Sequence, residues 1–177
     1  MKKILTILCA AALIAGLAAC GKDAGSEGNS ASSQSAATDR VVYDEPEGYE
    51  KVAQGNTQAL YTIENEAGEV THDIKITTIE ATDEYKKGLT SNDRAVLEEE
   101  LATEFEDNLT VTFTTIGICT GIRIDDSENI ETTYILLAGD WVVMVNCVDS
   151  DQNMEKVNAD MQSLIESIRL ESLTFGG

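Results

Sequence analysis

The sequence predicts an α+β fold: a mainly antiparallel sheet in the order hairpin, helix, three-strand meander, helix, with the helices packed on the sheet. Three observations predict it. Segments rich in Ile, Val, Thr and Tyr are separated by short stretches carrying Gly, Asn and Asp, the chemistry of strands joined by turns. Two stretches instead carry apolar residues at helical spacing, Leu97-Leu101-Phe105 and Met154-Val157-Met161-Leu164-Ile165-Ile168. The order of these segments, with strands clustered between two helices, is that of an α+β sandwich.

Taken in order, Pro46-Glu47-Gly48-Tyr49 reads as a turn leading into the domain. Residues 59–64 and 72–79 carry strand content, with Leu60, Tyr61 and Ile63 in the first and Ile74, Ile76 and Ile79 in the second. Asn65-Glu66-Ala67-Gly68 between them has turn chemistry, so the pair is expected as a β-hairpin. Thr90 and Asp93 fit the spacing of a capping box, which predicts a helix to about Asp107 with Leu97, Leu101 and Phe105 on one face. Residues 109–124, 131–138 and 141–148 follow as three β-prone segments, separated by the polar run 125–129 and by Gly139-Asp140. They are expected to form an antiparallel meander. The near-continuous apolar runs of the last two predict a sheet covered on both faces there. Asp149-Ser150-Asp151 offers caps for the closing helix.

Upstream of the domain, Lys2 and Lys3 precede an apolar stretch over residues 4–17 that ends in small residues. It is shorter than the roughly 20 apolar residues a membrane-spanning helix needs, and it has the layout of an export signal over residues 1–19. The residues Leu17-Ala18-Ala19-Cys20 resemble the lipobox of bacterial lipoproteins. In that family a diacylglyceryl group is attached to the cysteine sulfur and the signal is cut just before it. The resemblance therefore implies that Cys20 is a lipidation site and the N-terminus of the mature chain. Two acyl chains give stable anchoring where one gives only marginal binding. Gly21 rather than Asp follows the cysteine. By similarity to Gram-negative sorting rules, this implies the outer membrane in a two-membrane source, and the outer face of the cell membrane otherwise.

Residues 20–40 are the lipidated cysteine and a Ser-, Ala- and Gly-rich linker without apolar periodicity, expected to be disordered. About 20 such residues span about 25 Å. Residues 41–177 are enough for one domain with one core. Once Lys2 and Lys3 are removed with the signal, 10 basic residues remain against 32 acidic ones, a net charge of −22. Such a body repels phosphate-rich partners, which excludes nucleic acid, and is held off an anionic membrane except through its anchor.

The entrance Pro46-x-Gly48-Tyr49, the order of turns and strands, and Ile165-Glu166-Ser167-Ile168 closing an amphipathic helix resemble the PsbP-like fold over residues 43–170. That resemblance implies a binding or assembly module rather than an enzyme.

The residues that could carry chemistry each have a plainer reading. His72 is the lone histidine, so a Ser-His or Cys-His mechanism would depend on it. At the start of a predicted strand it is expected to face solvent. Cys119 and Cys147 fall on the first and third strands of the predicted meander, roughly 9–10 Å apart laterally, beyond the reach of a disulfide. They are expected as buried, unpaired small hydrophobes. Asp149-x-Asp151-x-Asn153 mimics the start of an EF-hand loop, but Met154 and Asp160 stand where that loop wants Gly and Glu. Helix capping accounts for the same residues. Asp125, Asp126 and Glu128 form a polar turn first and an ion site second. Trp141 after Gly139-Asp140 reads as a strand-end core aromatic ahead of a ligand-stacking one.

No catalytic, metal or cofactor site is assigned. The expected function is a lipid-anchored, non-catalytic binding or assembly module for an envelope partner or small ligand. The alternative is an envelope hydrolase acting on glycans through paired carboxylates.

Overall fold

The computed structural model describes residues 39–90, 109–148 and 153–172. In chain order these contain β1 (Asp39–Val42), β2 (Glu50–Gln54), β3 (Gln58–Glu64), β4 (Val70–Glu80), α1 (Asp83–Thr90), β5 (Leu109–Ile116), β6 (Cys119–Asp126), β7 (Glu131–Ala138), β8 (Trp141–Val148), α2 (Met154–Glu166) and β9 (Arg169–Ser172). All belong to one compact unit, residues 37–177.

Strands dominate, which corrects the expected α+β class. Seven of the strands form one antiparallel sheet in the order β2-β3-β4-β8-β7-β6-β5, and β1 pairs with β9 in a separate ribbon. Among the described residues there are two helices, so the molecule is a mainly β protein rather than a helix-rich sandwich.

The largest single reason is the Thr-rich run 109–124. Its run of Thr with Val, Phe and Ile reads as one strand, but it folds back on itself. Ile116 pairs with Cys119 around Gly117-Ile118, and the expected three-strand meander has four strands. Gly117 takes φ +57° at the first of two loop positions, where a hairpin turn compatible with strand twist favours glycine. The β1–β9 ribbon and β2 are also absent from the expected order. Asp39 and Arg40, placed in the linker by composition, pair with Ser172 and Glu171.

The β3–β4 hairpin turns at Asn65-Glu66-Ala67-Gly68. Asn65 Oδ1 accepts the N–H groups of Ala67 and Glu69 at 2.9 and 3.0 Å, and Gly68 takes φ +78°. The helix expected between Thr90 and Asp107 lies outside the described residues. A shorter one, α1, precedes it. The Thr82 hydroxyl accepts the Tyr85 N–H at 3.4 Å, a short capping interaction at its start.

Pairing in register puts alternate side chains on common faces. One face gathers Tyr61, Ile74, Ile76, Val145, Val143, Tyr134, Leu136 and Cys119, and α2 covers it. Val157, Met161, Leu164 and Ile165 of α2, with Ile168 after it, are at most 3% exposed. The other face buries Ile122, Ile135, Val142 and Met144, and α1 contributes buried Tyr85 and Leu89 beside β6 and β7. Strands β7 and β8 are thus covered on both sides, as their apolar runs predict.

Gly121, mid-strand in β6, lies hard against β7. A Cβ there would run into the Ile135 carbonyl and come within 2.9 Å of Leu136 Cα. Both atoms belong to backbone fixed by the ladder, so they cannot give way. Gly121→Ala is expected to lower unfolding free energy by about 2 kcal/mol or more. Gly68→Ala, in open space, is expected to lose only what its positive φ costs, about 1 kcal/mol. Urea denaturation of the two variants checks the order.

Candidate functional site

The residues singled out in the sequence do not converge on one place. Cys20 and the acidic pair Asp149 and Asp151 lie outside the described residues. Asn153 stands before α2 with no side-chain cap hydrogen bond, its carbonyl accepting the Val157 N–H at 3.3 Å. Asp126 closes the β6–β7 turn, accepting from the Glu128 and Asn129 backbone N–H groups at 2.9 and 3.1 Å. Asp125 instead accepts from Arg123 Nε and Nη2 and from the Thr132 hydroxyl, at 2.8–2.9 Å. Among the described residues no three His, Cys, Asp or Glu side chains are grouped to hold a metal.

His72 corrects the expectation of a solvent-facing residue. Position 72 is in phase with Ile74 and Ile76, and because strand β4 begins at Val70 it lies inside the strand and not at its end, and is 9% exposed. Its Nδ1 lies 3.0 Å from the Thr71 hydroxyl, and its Nε2 is buried without a hydrogen-bond partner among the described residues.

Cys119 and Cys147 lie on β6 and β8 with β7 between them, both fully buried, and no disulfide joins them. Cys147 faces Thr132 at one end of β7, whereas Cys119 lies beside Thr120, which faces Leu137 near the other end. Trp141 is half-buried, and its indole N–H donates to Asp39 Oδ1 at 3.1 Å, fastening β1 to the end of the sheet.

Among the described residues, one recess is lined by residues that carry no chemical motif in the sequence. A cleft of about 130 Å³ opens between β1, the β2–β3 turn and the end of β4. Val41, Ala59 and Ile76 form its apolar part; Tyr43, Gln54, Asn56, Thr57, Gln58 and Thr78 supply the polar groups. The turn wall is held at both ends by backbone. Gly55 N–H donates to the Gln58 carbonyl at 2.7 Å, and Thr78 N–H donates to the Thr57 carbonyl at 2.8 Å.

Tyr43 is set by Tyr61. Their rings meet edge to face with centroids 6.5 Å apart, and their hydroxyls are 3.5 Å apart. Burial first, and the Tyr61 hydroxyl second, push the Tyr43 phenol well above its ordinary range. It stays a neutral hydroxyl at any physiological pH. Lys51 sits 5.4 Å from the Tyr61 ring centre and pairs with Glu45.

Chemically the cleft can hold, but its lining carries no acid, histidine or cysteine for proton transfer or attack. Gln54-Gly55-Asn56-Thr57-Gln58 has recognisable turn chemistry, which is the signal that could have marked one wall. The other walls come from β1 and β4, whose approach is a tertiary fact.

No family model and no curated protein matches the chain. Among solved structures, it is similar to the solution structure of cyanobacterial PsbP (CyanoP) from Synechocystis sp. PCC 6803. The identity is 9% and the TM-score 0.35, over 81% of this chain and 98% of that one. No helix of the described residues is long and apolar enough to cross a membrane.

Burial raises the Cys119 thiol from 9.0 to about 11. Below pH 9 the folded and unfolded states both hold the proton. Between pH 9 and about 11 the unfolded state releases it first, so this contribution to stability is lost as pH rises. The fall in stability across that window is expected to be smaller in Cys119→Ala. Iodoacetamide at pH 8 is expected to label Cys119 and Cys147 only after denaturant is added, which mass spectrometry reads directly.

Proposed function

We propose that this chain is an extracytoplasmic lipoprotein, held at the membrane through lipid on Cys20, whose domain binds a small uncharged polar ligand without chemically altering it. The observation that carries the binding reading is the composition of the cleft. In a chain of 32 acidic residues, a recess walled by amides and hydroxyls over an apolar floor is suited to hydroxyl- or amide-bearing groups. Carboxylate-based glycan hydrolysis needs two acids about 5–9.5 Å apart across the bond to be broken, and the cleft lining offers neither.

The anchoring part rests on Leu17-Ala18-Ala19-Cys20 after a short apolar stretch. It also rests on a net charge that gives the body no affinity of its own for an anionic surface. A lipid anchor and a non-catalytic cleft together describe a protein that presents or retains a ligand outside the cell.

Two outcomes are expected. Cys20→Ala is recovered folded in the soluble fraction, and its persistence in the membrane fraction would count against the anchor. In amide NMR of the chain, a neutral monosaccharide or a capped dipeptide shifts Gly55, Asn56, Gln58 and Thr78. Ala59→Phe, which fills the recess, removes those shifts. If neither probe perturbs these amides in the unmutated chain, the cleft is not the binding site.

A further inference from the structure

The cleft is small for the role proposed above. Its volume is about 130 Å³, whereas sites that enclose a small ligand run to about 300–1,000 Å³. To take in more than a fragment of a ligand, one of its walls has to move. Two of the walls are fixed in the seven-stranded sheet. Strand β4 is paired on both sides, with β3 and with β8. The β2–β3 turn is tied by the Gly55 N–H on the Gln58 carbonyl and by the Thr78 N–H on the Thr57 carbonyl. The third wall is Val41 of β1 and Tyr43 just after it, and β1 lies outside that sheet.

Among the described residues β1 has one strand partner, β9, over four residue pairs. A two-stranded ribbon is marginal by itself. The other fasteners of β1 are polar and near the surface. The Trp141 indole N–H donates to Asp39 at 3.1 Å, and Arg40 pairs with Glu171 at 3.0 Å with both side chains exposed. Just beyond the strand, the Asp44 carboxylate meets Arg169 and the Asp44 N–H meets the Ser167 hydroxyl, each at 2.9 Å. Ion pairs this exposed are weak. Strand β9 is seated more firmly. It follows the buried Ile168, and Leu170 lies so close over Gly139 that a Cβ there would come within 2.6 Å of its Cδ1. When the ribbon parts, β1 leaves and β9 stays.

We infer that β1 is a strap across the cleft: it peels from β9 while the sheet stays folded, and this opening admits the ligand. The inference rests on the cleft being the binding site. What brings the strap back is apolar contact. Val41 and Tyr43 pack against the core in the closed state, with Tyr43 edge to face on Tyr61, and opening returns both to water. Segments that open without unfolding the rest are those with few buried contacts. Of the three walls, β1 alone fits that description. The closed volume therefore does not limit the size of ligand that enters.

The full chain carrying Ala59→Cys tests this. Ala59 lines the cleft and is 4% exposed, and fluorescein maleimide is too large to reach it while β1 is in place. Cys119 and Cys147, fully buried in the sheet, report opening of the whole domain in the same molecules. Labelling is read cysteine by cysteine by mass spectrometry. The thiol at position 59 is expected to react at least about 10-fold faster than Cys119 and Cys147. Adding Asp39→Ala, which removes the acceptor of the Trp141 N–H and no lining residue, is expected to speed position 59 about 3–10-fold and leave Cys119 and Cys147 unchanged. The inference is overturned if position 59 reacts in step with slow Cys119 and Cys147, or if Asp39→Ala leaves their ratio unchanged. If all three react at once in buffer, the substitution has unfolded the chain, and Ile76→Cys, 1% exposed on the same floor, gives the reading. Labelling needs no ligand. A cleft that binds neither saccharide nor dipeptide fails as the binding site without changing these rates, and a strap that stays shut fails while the amide shifts persist.

Discussion

The docking of α2 on one face of the sheet is the contact on which the remaining structure depends. Val157, Met161, Leu164, Ile165 and Ile168 close over Tyr61, Ile74, Ile76, Tyr134, Leu136, Val143 and Val145 in one continuous core. Each such side chain contributes about 1.5–3 kcal/mol when withdrawn from water, against the entropy of ordering the chain. The end of α2, fixed by this dock, positions the segment beyond it. The Ser167 hydroxyl donates to the Leu164 carbonyl at 2.7 Å and accepts the Asp44 N–H at 2.9 Å. Arg169 reaches Asp44 at 2.9 Å, and β9 then pairs with β1. Because β1 is laid down there, Val41 and Tyr43 form one wall of the cleft. The cleft is thus a consequence of the helix dock, two steps removed.

Tyrosines bridge the dry interior and the wet rim of that dock. Tyr49 donates to Asp160 of α2 at 3.1 Å, Gln162 of α2 donates to the Tyr134 hydroxyl at 3.5 Å, and Tyr61 meets Tyr43. A cation lies over three of these rings: Lys156 over Tyr49, Lys51 over Tyr61 and Arg123 over Tyr134. An aromatic with a polar end suits such a border, since its ring is buried while its hydroxyl finds a partner. Arg40, Lys51, Lys86, Arg123, Lys156 and Arg169 each also pair with a carboxylate. Pairs this exposed are worth about 0–1 kcal/mol apiece, so they shape the surface field more than the stability. With scarce positive charge spent inside the surface, the excess acid defines how the body meets other molecules.

The legible parts of the fold were those with local causes. Asn65 and Gly68 make a turn by their own side-chain and backbone chemistry, and the stripe Val157-Met161-Leu164-Ile165-Ile168 is helical in period wherever it sits. Residues 109–124 misled because alternation of Thr with Val, Phe and Ile is the same in one strand as in two. One glycine at 117 and another at 121 look alike in sequence, yet the first turns the chain and the second admits a neighbouring strand. His72 misled by two residues of strand boundary: it shares a face with Ile74 and Ile76 either way, but starting β4 at Val70 moves it from the strand's end to its interior, where it is covered. Strands β1 and β9 stand far apart in sequence, and nothing in either four-residue segment names its partner.

Composition and short-range pattern were sufficient for the acidic character, the apolar stretch over residues 4–17, the strand-forming content and the amphipathic closing helix. Each is a property of the whole residue count or of residues within a few positions of one another. Long-range contacts were needed to make the molecule a mainly β protein of seven strands with an added ribbon. They also keep the cysteines apart and open a cleft where β1, the β2–β3 turn and β4 meet. The physical reason is that strand pairing is settled between residues remote in sequence. Local pattern sets which side chains can share a face, and only closure of the helix over the sheet sets which of them do.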